Sequence, residues 1–230
     1  MKKILSTTAI AGSLCLLGTS AFAQTFAGPY VAVSGSMAGV ATKGSKTASG
    51  SGNSGAVPAG IVSGLGALEI GYGIPADKTT TITIGATYIP FSADLSTRST
   101  SGATDTNSNA GSRTFEVKDA YTVFIQPTFE INKDAAFFAK VFYSHADTSL
   151  SGTAITKPGD LEGYGAALGL KVALTKNAFV QVEGSYTQFD SVTAQIAEVA
   201  AGVGESLVTR TFTASKPELV EGRVTLGFKF

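Results

Sequence analysis

The chain has 230 residues, with 17 Lys and Arg balancing 17 Asp and Glu, one His, one Cys and no Trp. This neutral balance gives no electrostatic basis for nucleic-acid binding. No stretch of 18 consecutive apolar residues follows the first 23 positions, which excludes a helical membrane protein.

The N-terminus has the organisation of a secretory signal peptide, with two lysines, an apolar stretch and an A-x-A site ending at Ala23. We predict cleavage between Ala23 and Gln24, giving a signal peptide over 1–23 and a β-barrel domain over 24–230; a retained membrane anchor is the alternative. Cys15 lies in the leader, so the mature chain has no cysteine for a disulfide, a thiolate metal site or a nucleophile. The mature chain has 207 residues (230 − 23) and a net charge of −2 (15 − 17).

Eight segments of the mature chain alternate apolar and polar residues with the two-residue period of a β-strand. They are predicted over 29–37, 63–74, 80–91, a fourth segment ending at 130, 135–145, 163–174, about 180–187, and 220–230. The last segment shows the pattern most clearly. In it Val224, Leu226 and Phe228 alternate with Arg223, Thr225 and Gly227. In the fourth segment Pro127 cannot donate to a ladder, which predicts a bulge or a strand end there.

The connections between these segments alternate in length along the chain. Short turns are predicted at 75–78, 132–134 and 175–177, and long loops at 38–60, 92–112, 146–159 and 190–217. In the last loop, apolar residues from Ile196 to Val203 at helical spacing leave a short rim helix open as an alternative. The pattern predicts an all-β fold: an eight-stranded antiparallel up-and-down transmembrane β-barrel, with the short turns in the periplasm.

Aromatic residues are sorted towards the two ends of the predicted strands. Five tyrosines fall at the long-loop end on the outward face: Tyr88, Tyr121, Tyr143, Tyr164 and Tyr186. At the opposite end the outward aromatics are Tyr72, Phe129, Phe137, Phe228 and Phe230. Two aromatic belts flanking an aliphatic band are typical of a membrane barrel. Tyr30 has the height of a belt residue but not its facing, which leaves the facing of the first strand open.

The inward face of the predicted barrel carries six charged residues. They are Glu69, Lys140, Lys171, Glu183, Glu221 and Arg223. An eight-stranded barrel is only wide enough for side chains to fill, so buried charges there must pair or stay hydrated. We predict a structural plug of ion pairs, with a gated narrow polar path as the alternative.

The only histidine, His145, is predicted at the outer rim. Pairing it with Ser144 as the base and nucleophile of a lipid-acting hydrolase is disfavoured, because adjacent strand residues point to opposite faces. The sequence contains no P-loop, no dinucleotide-binding motif and no metal-ligand cluster. We therefore expect a solvated rim histidine, no enzymatic activity, no cofactor and no metal.

The opening G-P-Y-V-A-V-S-G, the internal G-Y-G-A-A-L-G-L-K-V and the closing G-R-V-T-L-G-F-K-F carry a family resemblance. Together with the leader, they resemble the small outer-membrane β-barrel domain family of Gram-negative bacteria, which includes the membrane domain of outer membrane protein A and the opacity-type adhesins. The resemblance implies an outer-membrane location among its lipids, delivery by periplasmic chaperones and the barrel-insertion machinery, and an insertion signal that includes Phe228 and Phe230. It gives no periplasmic peptidoglycan-binding domain.

These observations lead to one functional prediction and one competing class. We predict a structural or surface-interaction protein acting through four long extracellular loops, and leave open a ligand on a host or environmental surface. The alternative is a narrow, low-conductance, porin-like channel for small solutes.

Overall fold

The computed structural model describes residues 25–48, 51–52, 60–90, 93–96, 114–151, 159–199 and 207–230. The predicted signal peptide and its cleavage site between Ala23 and Gln24 lie outside these residues. No helix among the described residues is long and apolar enough to cross a membrane.

The described residues form eleven β-strands in one sheet. The strands are β1 (Gly28–Ala48), β2 (Ser51–Gly52), β3 (Gly60–Pro75), β4 (Thr80–Ile89), β5 (Ala93–Ser96), β6 (Thr114–Glu130), β7 (Ala135–Ser151), β8 (Leu161–Ala173), β9 (Ala178–Phe189), β10 (Val192–Val199) and β11 (Leu207–Lys229).

Eight of these strands close into a barrel in chain order. Each of β1, β3, β4, β6, β7, β8, β9 and β11 pairs antiparallel with the next. The last strand, β11, then pairs antiparallel with β1, with Val31 opposite Phe228 and Val33 opposite Leu226. This pairing removes the sheet edges that an open eight-stranded sheet would expose. The predicted eight-stranded up-and-down barrel is confirmed.

The barrel wall is apolar on its outer face and polar on its inner face, the reverse of a water-soluble protein. Large apolar side chains point outwards, so that Val141 is 58% exposed and Leu168 59% exposed. The interior instead buries hydroxyl groups, and Thr83 and Thr225 are both 0% exposed. An apolar exterior of this kind is matched to lipid rather than to water.

The structure decides the facing of the first strand. Val31, Val33 and Met37 are 44%, 54% and 67% exposed on the outer face, whereas Ala32 and Tyr30 are buried at 6% and 3%. Tyr30 is therefore an interior residue.

The three short turns share one construction. In each, a polar side chain accepts the backbone N–H two residues later: Asp77 from Thr79 (2.8 Å), Asn132 from Asp134 (2.9 Å) and Thr175 from Asn177 (3.2 Å). Hydrogen bonds from a side chain to the nearby backbone are what makes Asp, Asn and Thr good turn residues.

Several sequence predictions about the connections are wrong. The predicted loops at 38–60 and 146–159 are in part strand, because β1 continues to Ala48 and β7 to Ser151. Strand β5 lies within the predicted loop 92–112, and β10 lies within 190–217. The rim helix is wrong over Val192–Val199, which pairs with β11; residues 200–206 lie outside the described part of the chain.

Pro127 does not produce the predicted bulge. It pairs with Ile82 on one side, and on the other side the register of β6 with β7 is the same before and after it, at Ile125–Val141 and Thr128–Phe138. The register shift in this pair lies between Lys118 and Tyr121. Asp119, inside the shift, has a φ of 48°, a conformation that a short Asp side chain tolerates.

Candidate functional site

The barrel interior contains all six charged residues selected from the sequence. Their exposures are Glu69 1%, Lys171 1%, Lys140 3%, Glu183 6% and Glu221 8%, and the Arg223 side chain is 11% exposed. These residues face inwards because side chains alternate between the two faces of a strand, and each of the six lies at a position that its strand turns to the interior. The strands are β3, β7, β8, β9 and β11. Three acids and three bases therefore occupy one low-dielectric space.

Lys140 is the centre of an ion network that spans the barrel. Its Nζ lies 2.7 Å from Glu183 Oε2 and 3.8 Å from Glu69 Oε2. The same ammonium lies 4.6 Å from the centroid of the Phe124 ring. A buried lysine needs this kind of pairing, because an uncompensated charge is costly in a low-dielectric interior.

Arg223 joins Glu183 to Glu221. Its Nη2 lies 2.9 Å from Glu221 Oε1, and its Nε lies 3.7 Å from Glu183 Oε1. Both Nε and Nη2 donate to the same Glu221 oxygen, at 3.0 and 2.9 Å. The two acids of β9 and β11 are thus held by one planar guanidinium, whose fixed geometry suits such multiple contacts.

Glu69 is held by hydroxyl groups in addition to its long contact with Lys140. The Tyr30 hydroxyl donates to Glu69 Oε1 at 2.8 Å, and the Thr87 hydroxyl donates to Oε2 at 3.2 Å. Tyr30 therefore serves the interior network, which explains why it faces away from the aromatic belts.

Lys171 has a different environment from the other interior bases. Its Nζ lies 3.9 Å from the Phe179 ring centroid, 4.8 Å from the Tyr30 centroid and 5.3 Å from the Phe26 centroid. Cation–π attraction is stronger in desolvated surroundings such as these. The alternation of β8 predicts that Lys171 faces inwards but not that these rings surround it, because the rings come from distant parts of the chain.

The segment before β1 packs into the end of the barrel that carries the short turns. Phe26 is 3% exposed and packs in a cluster with Tyr30 and Phe179. The backbone of Thr25 is tied down on two sides: its N–H donates to Glu130 Oε1 at 3.1 Å, and its carbonyl accepts from Lys229 Nζ at 2.8 Å. The buried Phe26 ring is therefore held in place beside a residue, Thr25, that is bonded to the ends of β6 and β11.

Interior aromatic rings lie against glycines on the neighbouring strand. In each case a Cβ added to the glycine would collide with the ring of its register partner. The pairs are Gly71–Tyr30, Gly85–Phe124, Gly165–Phe142, Gly169–Phe138 and Gly227–Phe179. A narrow barrel can hold these large rings only where the facing residue has no side chain.

Four interior polar atoms have no hydrogen-bond partner among the described residues. They are Ser34 Oγ, Thr83 Oγ1, Gln126 Oε1 and Thr225 Oγ1. Buried groups of this kind are normally satisfied, most often by water where the protein offers no partner. The interior is therefore suited to hold water molecules beside the ion network.

The aromatic-belt residues lie on the outer face at the two ends of the barrel. Tyr88, Tyr121, Tyr164 and Tyr186 are exposed at the long-strand end, and Tyr143 is half-buried with its ring centroid 5.3 Å from that of Tyr164. At the turn end, Tyr72 is half-buried and Phe129, Phe137, Phe228 and Phe230 are 39–70% exposed. The rings of Phe228 and Phe230 lie 5.5 Å apart in a T-shaped arrangement.

Carboxylates lie beside belt tyrosines at the end of the barrel opposite the short turns. The Tyr88 hydroxyl donates to Asp119 Oδ1 at 3.1 Å. Glu162 lies near the Tyr143 hydroxyl, and Glu218 lies near that of Tyr186. These pairs could not be predicted from the sequence, because they depend on which acid the strand register places beside each ring.

His145 lies on the outer face of this rim, and Ser144 does not. The Ser144 hydroxyl lies 2.9 Å from the Thr122 hydroxyl on the inner parity of the wall. The His145 ring stacks near Tyr121, with 5.0 Å between ring centroids, and its side chain is 18% exposed. The structure therefore does not bring Ser144 and His145 together as a nucleophile and its base.

The structure brings His145 together with acids instead. Its donor atoms and those of Asp147 and Asp160 all lie within 4.8 Å of one another. No metal-ligand cluster was predicted from the sequence. The sequence feature that could have indicated this cluster is His-x-Asp within a strand, because residues two apart in a strand point to the same face.

Comparison with known proteins gives a family and a set of similar folds. The family model described as outer membrane protein beta-barrel domain matches residues 9–204. No curated protein sequence matches the chain. The outer membrane protein OprG from Pseudomonas aeruginosa is 16% identical with a TM-score of 0.57, covering 89% of this chain and 96% of OprG. Neisserial surface protein A is 13% identical with a TM-score of 0.51, covering 89% and 98%. At these identities the likeness is one of fold.

Proposed function

This chain belongs to the outer membrane protein β-barrel domain family, and from that membership we propose that it is a structural and surface-interaction protein of the outer membrane. In this proposal the barrel anchors the chain in lipid, and the strands and connections beyond the outer rim meet an external surface. We do not propose an enzymatic activity.

Strand length is the observation that carries the proposal. A strand needs about 9–11 residues to cross a membrane. β1 has 21 residues, β11 has 23, and β6 and β7 have 17 each. The additional residues lie at the end opposite the short turns, so they supply paired β-ribbons outside the bilayer, a rigid support for surface contacts.

The filled interior favours an anchoring role over a transport role. Lys140 links Glu69 and Glu183 across the interior, and Phe26 closes the periplasmic mouth. Small eight-stranded barrels have interiors that side chains can fill completely.

The proposal also includes a route to the membrane. A signal peptide over 1–23 would direct export, with cleavage between Ala23 and Gln24. Periplasmic chaperones and the barrel-insertion machinery would then receive the chain, the latter reading Phe228 and Phe230. Both rings are exposed on the outer face, at 51% and 70%, and so remain accessible to a partner.

Epitope tags placed at opposite ends test the location and orientation. We expect a tag between Gly102 and Ala103 to be labelled by antibody on intact cells, because it lies in the connection between β5 and β6. A tag after Lys133, in a short turn, should be labelled only after the outer membrane is permeabilised. The opposite labelling pattern would overturn the orientation.

Shortening one ribbon tests the surface role. Replacing residues 41–59 by Asn-Gly joins the register partners Val40 and Gly60 through a two-residue hairpin turn. We expect a laboratory Gram-negative strain expressing this variant to adhere less well to epithelial monolayers or to glass than a strain expressing the intact protein. The variant must still show a compact, heat-sensitive band in gels; equal adhesion on both surfaces would contradict the proposed role.

A narrow channel is the second candidate, favoured by the four unpartnered polar atoms of the interior. Water at these atoms would provide the start of a polar path. Recording from single proteins in planar bilayers separates the two functions. We expect no steady current; an ion-selective conductance that is abolished in Lys140→Met or Arg223→Met would establish the channel and overturn the plug.

A further inference from the structure

At the outer rim, four residues that could bind a metal ion lie close together, two on each of two neighbouring strand segments. His145 and Asp147 are two residues apart in β7 and so share its outer face. The register places Glu162 of β8 opposite His145. Continuing that antiparallel register places Asp160, just before β8, opposite Asp147.

Three of these residues have their donor atoms close enough to share one ion. The donors of His145, Asp147 and Asp160 lie within 4.8 Å of one another. Ligand atoms on a tetrahedral zinc ion with bonds of about 2.1 Å are about 3.4 Å apart, so modest side-chain rotations would complete the site. All three side chains are at the surface or half-buried, which leaves them free to make those rotations.

The histidine ring is already oriented as a ligand. Its Nε2 faces Asp147 Oδ1 at 3.4 Å, and its Nδ1 faces Glu162 Oε1 at 3.6 Å. The Tyr121 ring lies against it, with 5.0 Å between centroids. Metal-binding histidines usually donate their second ring N–H to a carboxylate, which fixes the tautomer and the ring plane. Glu162 is in the position to accept that bond.

A bound cation would relieve the repulsion between two of these acids. Like charges directly opposite each other on paired strands are destabilising, and Asp147 faces Asp160. Lys118, the register partner of Asp147 on β6, competes with an ion for one carboxylate but lies on the side away from Asp160.

We propose that His145, Asp147 and Asp160 form a binding site for one divalent transition-metal ion of the Zn²⁺ class, with Glu162 orienting the imidazole. A donor set of one imidazole nitrogen and two carboxylate oxygens suits Zn²⁺ better than Mg²⁺ or Ca²⁺, which prefer oxygen ligands alone. The site lies on the outer wall beside the tyrosine belt, so its remaining coordination position faces the headgroup layer and is open to water. This site is independent of the proposed surface role.

Zinc titration of the purified full-length protein in detergent tests the site. We expect isothermal titration calorimetry to show saturable binding of one Zn²⁺, and Co²⁺ in its place to give the visible absorption of a low-symmetry site. His145→Ala and Asp160→Asn should each weaken binding by about tenfold or more, and Glu162→Gln by about 10–100-fold as a group that orients a ligand. Asp119→Asn, a rim carboxylate outside the site, should bind zinc as the unaltered protein does.

Fold and competition controls make the result decisive. Each variant is checked for the heat-dependent gel mobility of a folded barrel, so that a loss of binding reports on the site. Absence of saturable Zn²⁺ binding, binding that survives His145→Ala, or displacement of Zn²⁺ by an equal concentration of Mg²⁺ would each overturn the proposal. Unchanged affinity in Glu162→Gln would overturn the orienting role of that residue.

Discussion

Single interior residues show how a barrel in lipid satisfies buried charge. Lys140 contacts Glu183 at 2.7 Å and Glu69 at 3.8 Å, and all three side chains are nearly inaccessible to solvent. Replacing both partners of such a pair by apolar residues can be neutral, whereas removing one partner leaves the other charge buried alone. The network is therefore sensitive to single changes in a way that surface pairs are not.

Lys140→Met tests this sensitivity. We expect it to lower the free energy of unfolding by about 3–5 kcal/mol, because Glu183 loses its closest counter-ion. Urea titration of the protein folded into lipid vesicles provides the measurement. The matched control is Lys133→Met: that lysine lies 3.7 Å from Asp134 with 89% of its side chain exposed, and a surface pair contributes about 0–1 kcal/mol. Equal stabilities for the two variants would contradict the interior network.

The glycines that lie against interior aromatic rings also contribute to stability. We expect Gly227→Ala to destabilise the barrel by about 1–3 kcal/mol, because the added methyl group meets the buried Phe179 ring. Gly222→Ala in the same strand is the control, since nothing lies within 4 Å of its added Cβ. Both values come from urea unfolding in vesicles. A larger cost at Gly222 than at Gly227 would show that ring packing does not limit the interior.

At the scale of one element, β11 separates lipid from interior by alternation alone. Val224 and Leu226 are 53% and 52% exposed on the outer wall, and Thr225 between them is 0% exposed. The two environments tolerate different side chains, because lipid cannot hydrogen-bond a polar side chain whereas the polar interior can.

Arginine substitutions in β11 measure this difference. We expect Val224→Arg or Leu226→Arg to cost about 2–4 kcal/mol if the site lies near the bilayer midplane, and Thr225→Ser to cost much less. The assay is refolding from urea into phosphatidylcholine vesicles. It is monitored by circular dichroism, because the chain has no tryptophan for fluorescence. Equal tolerance at the three positions would contradict the inside and outside assignment.

On the scale of the whole molecule, the barrel is closed by two separate devices. The β1–β11 pairing closes the wall, and Phe26 fills the short-turn end of the barrel beside the Lys171 ammonium. Lys140, Glu183 and Arg223 form a further layer inside. Tyr30 links the two layers, because it packs against Phe26 and donates to Glu69. The Lys140–Glu183–Arg223 contacts do not include Phe26, so removing that ring should leave them in place.

The variant Phe26→Ala tests separately how much Phe26 contributes to the stability of the barrel and whether it blocks the passage of ions. We expect a loss of about 3–5 kcal/mol in unfolding free energy, as for other buried phenylalanines, with no steady current in planar bilayers because the ion network remains. Ile131→Ala, a turn residue at the same rim that is 66% exposed, serves as the control and should change little. A conducting Phe26→Ala barrel would place the seal at the mouth instead of in the network.

Local pattern was sufficient for most of the architecture. The two-residue period identified every barrel strand and the outward facing of residues such as Leu168 and Val224, because lipid on one side enforces strict alternation. The family resemblance is confirmed by the family match over residues 9–204. The ends of the strands were wrong, since polar residues continue in paired strands without an apolar period, as in the last eight residues of β1.

By itself the sequence determined the eight-stranded barrel, its short turns and the six charges of its interior parity, because these depend only on neighbours along the chain. Only the tertiary structure decided which charges pair, that Phe26 and Tyr30 enclose Lys171, and that Asp160 faces Asp147 beside His145. Those contacts join residues that are distant in sequence, and they follow from the register between strands and the closure of β1 on β11, which no local period encodes.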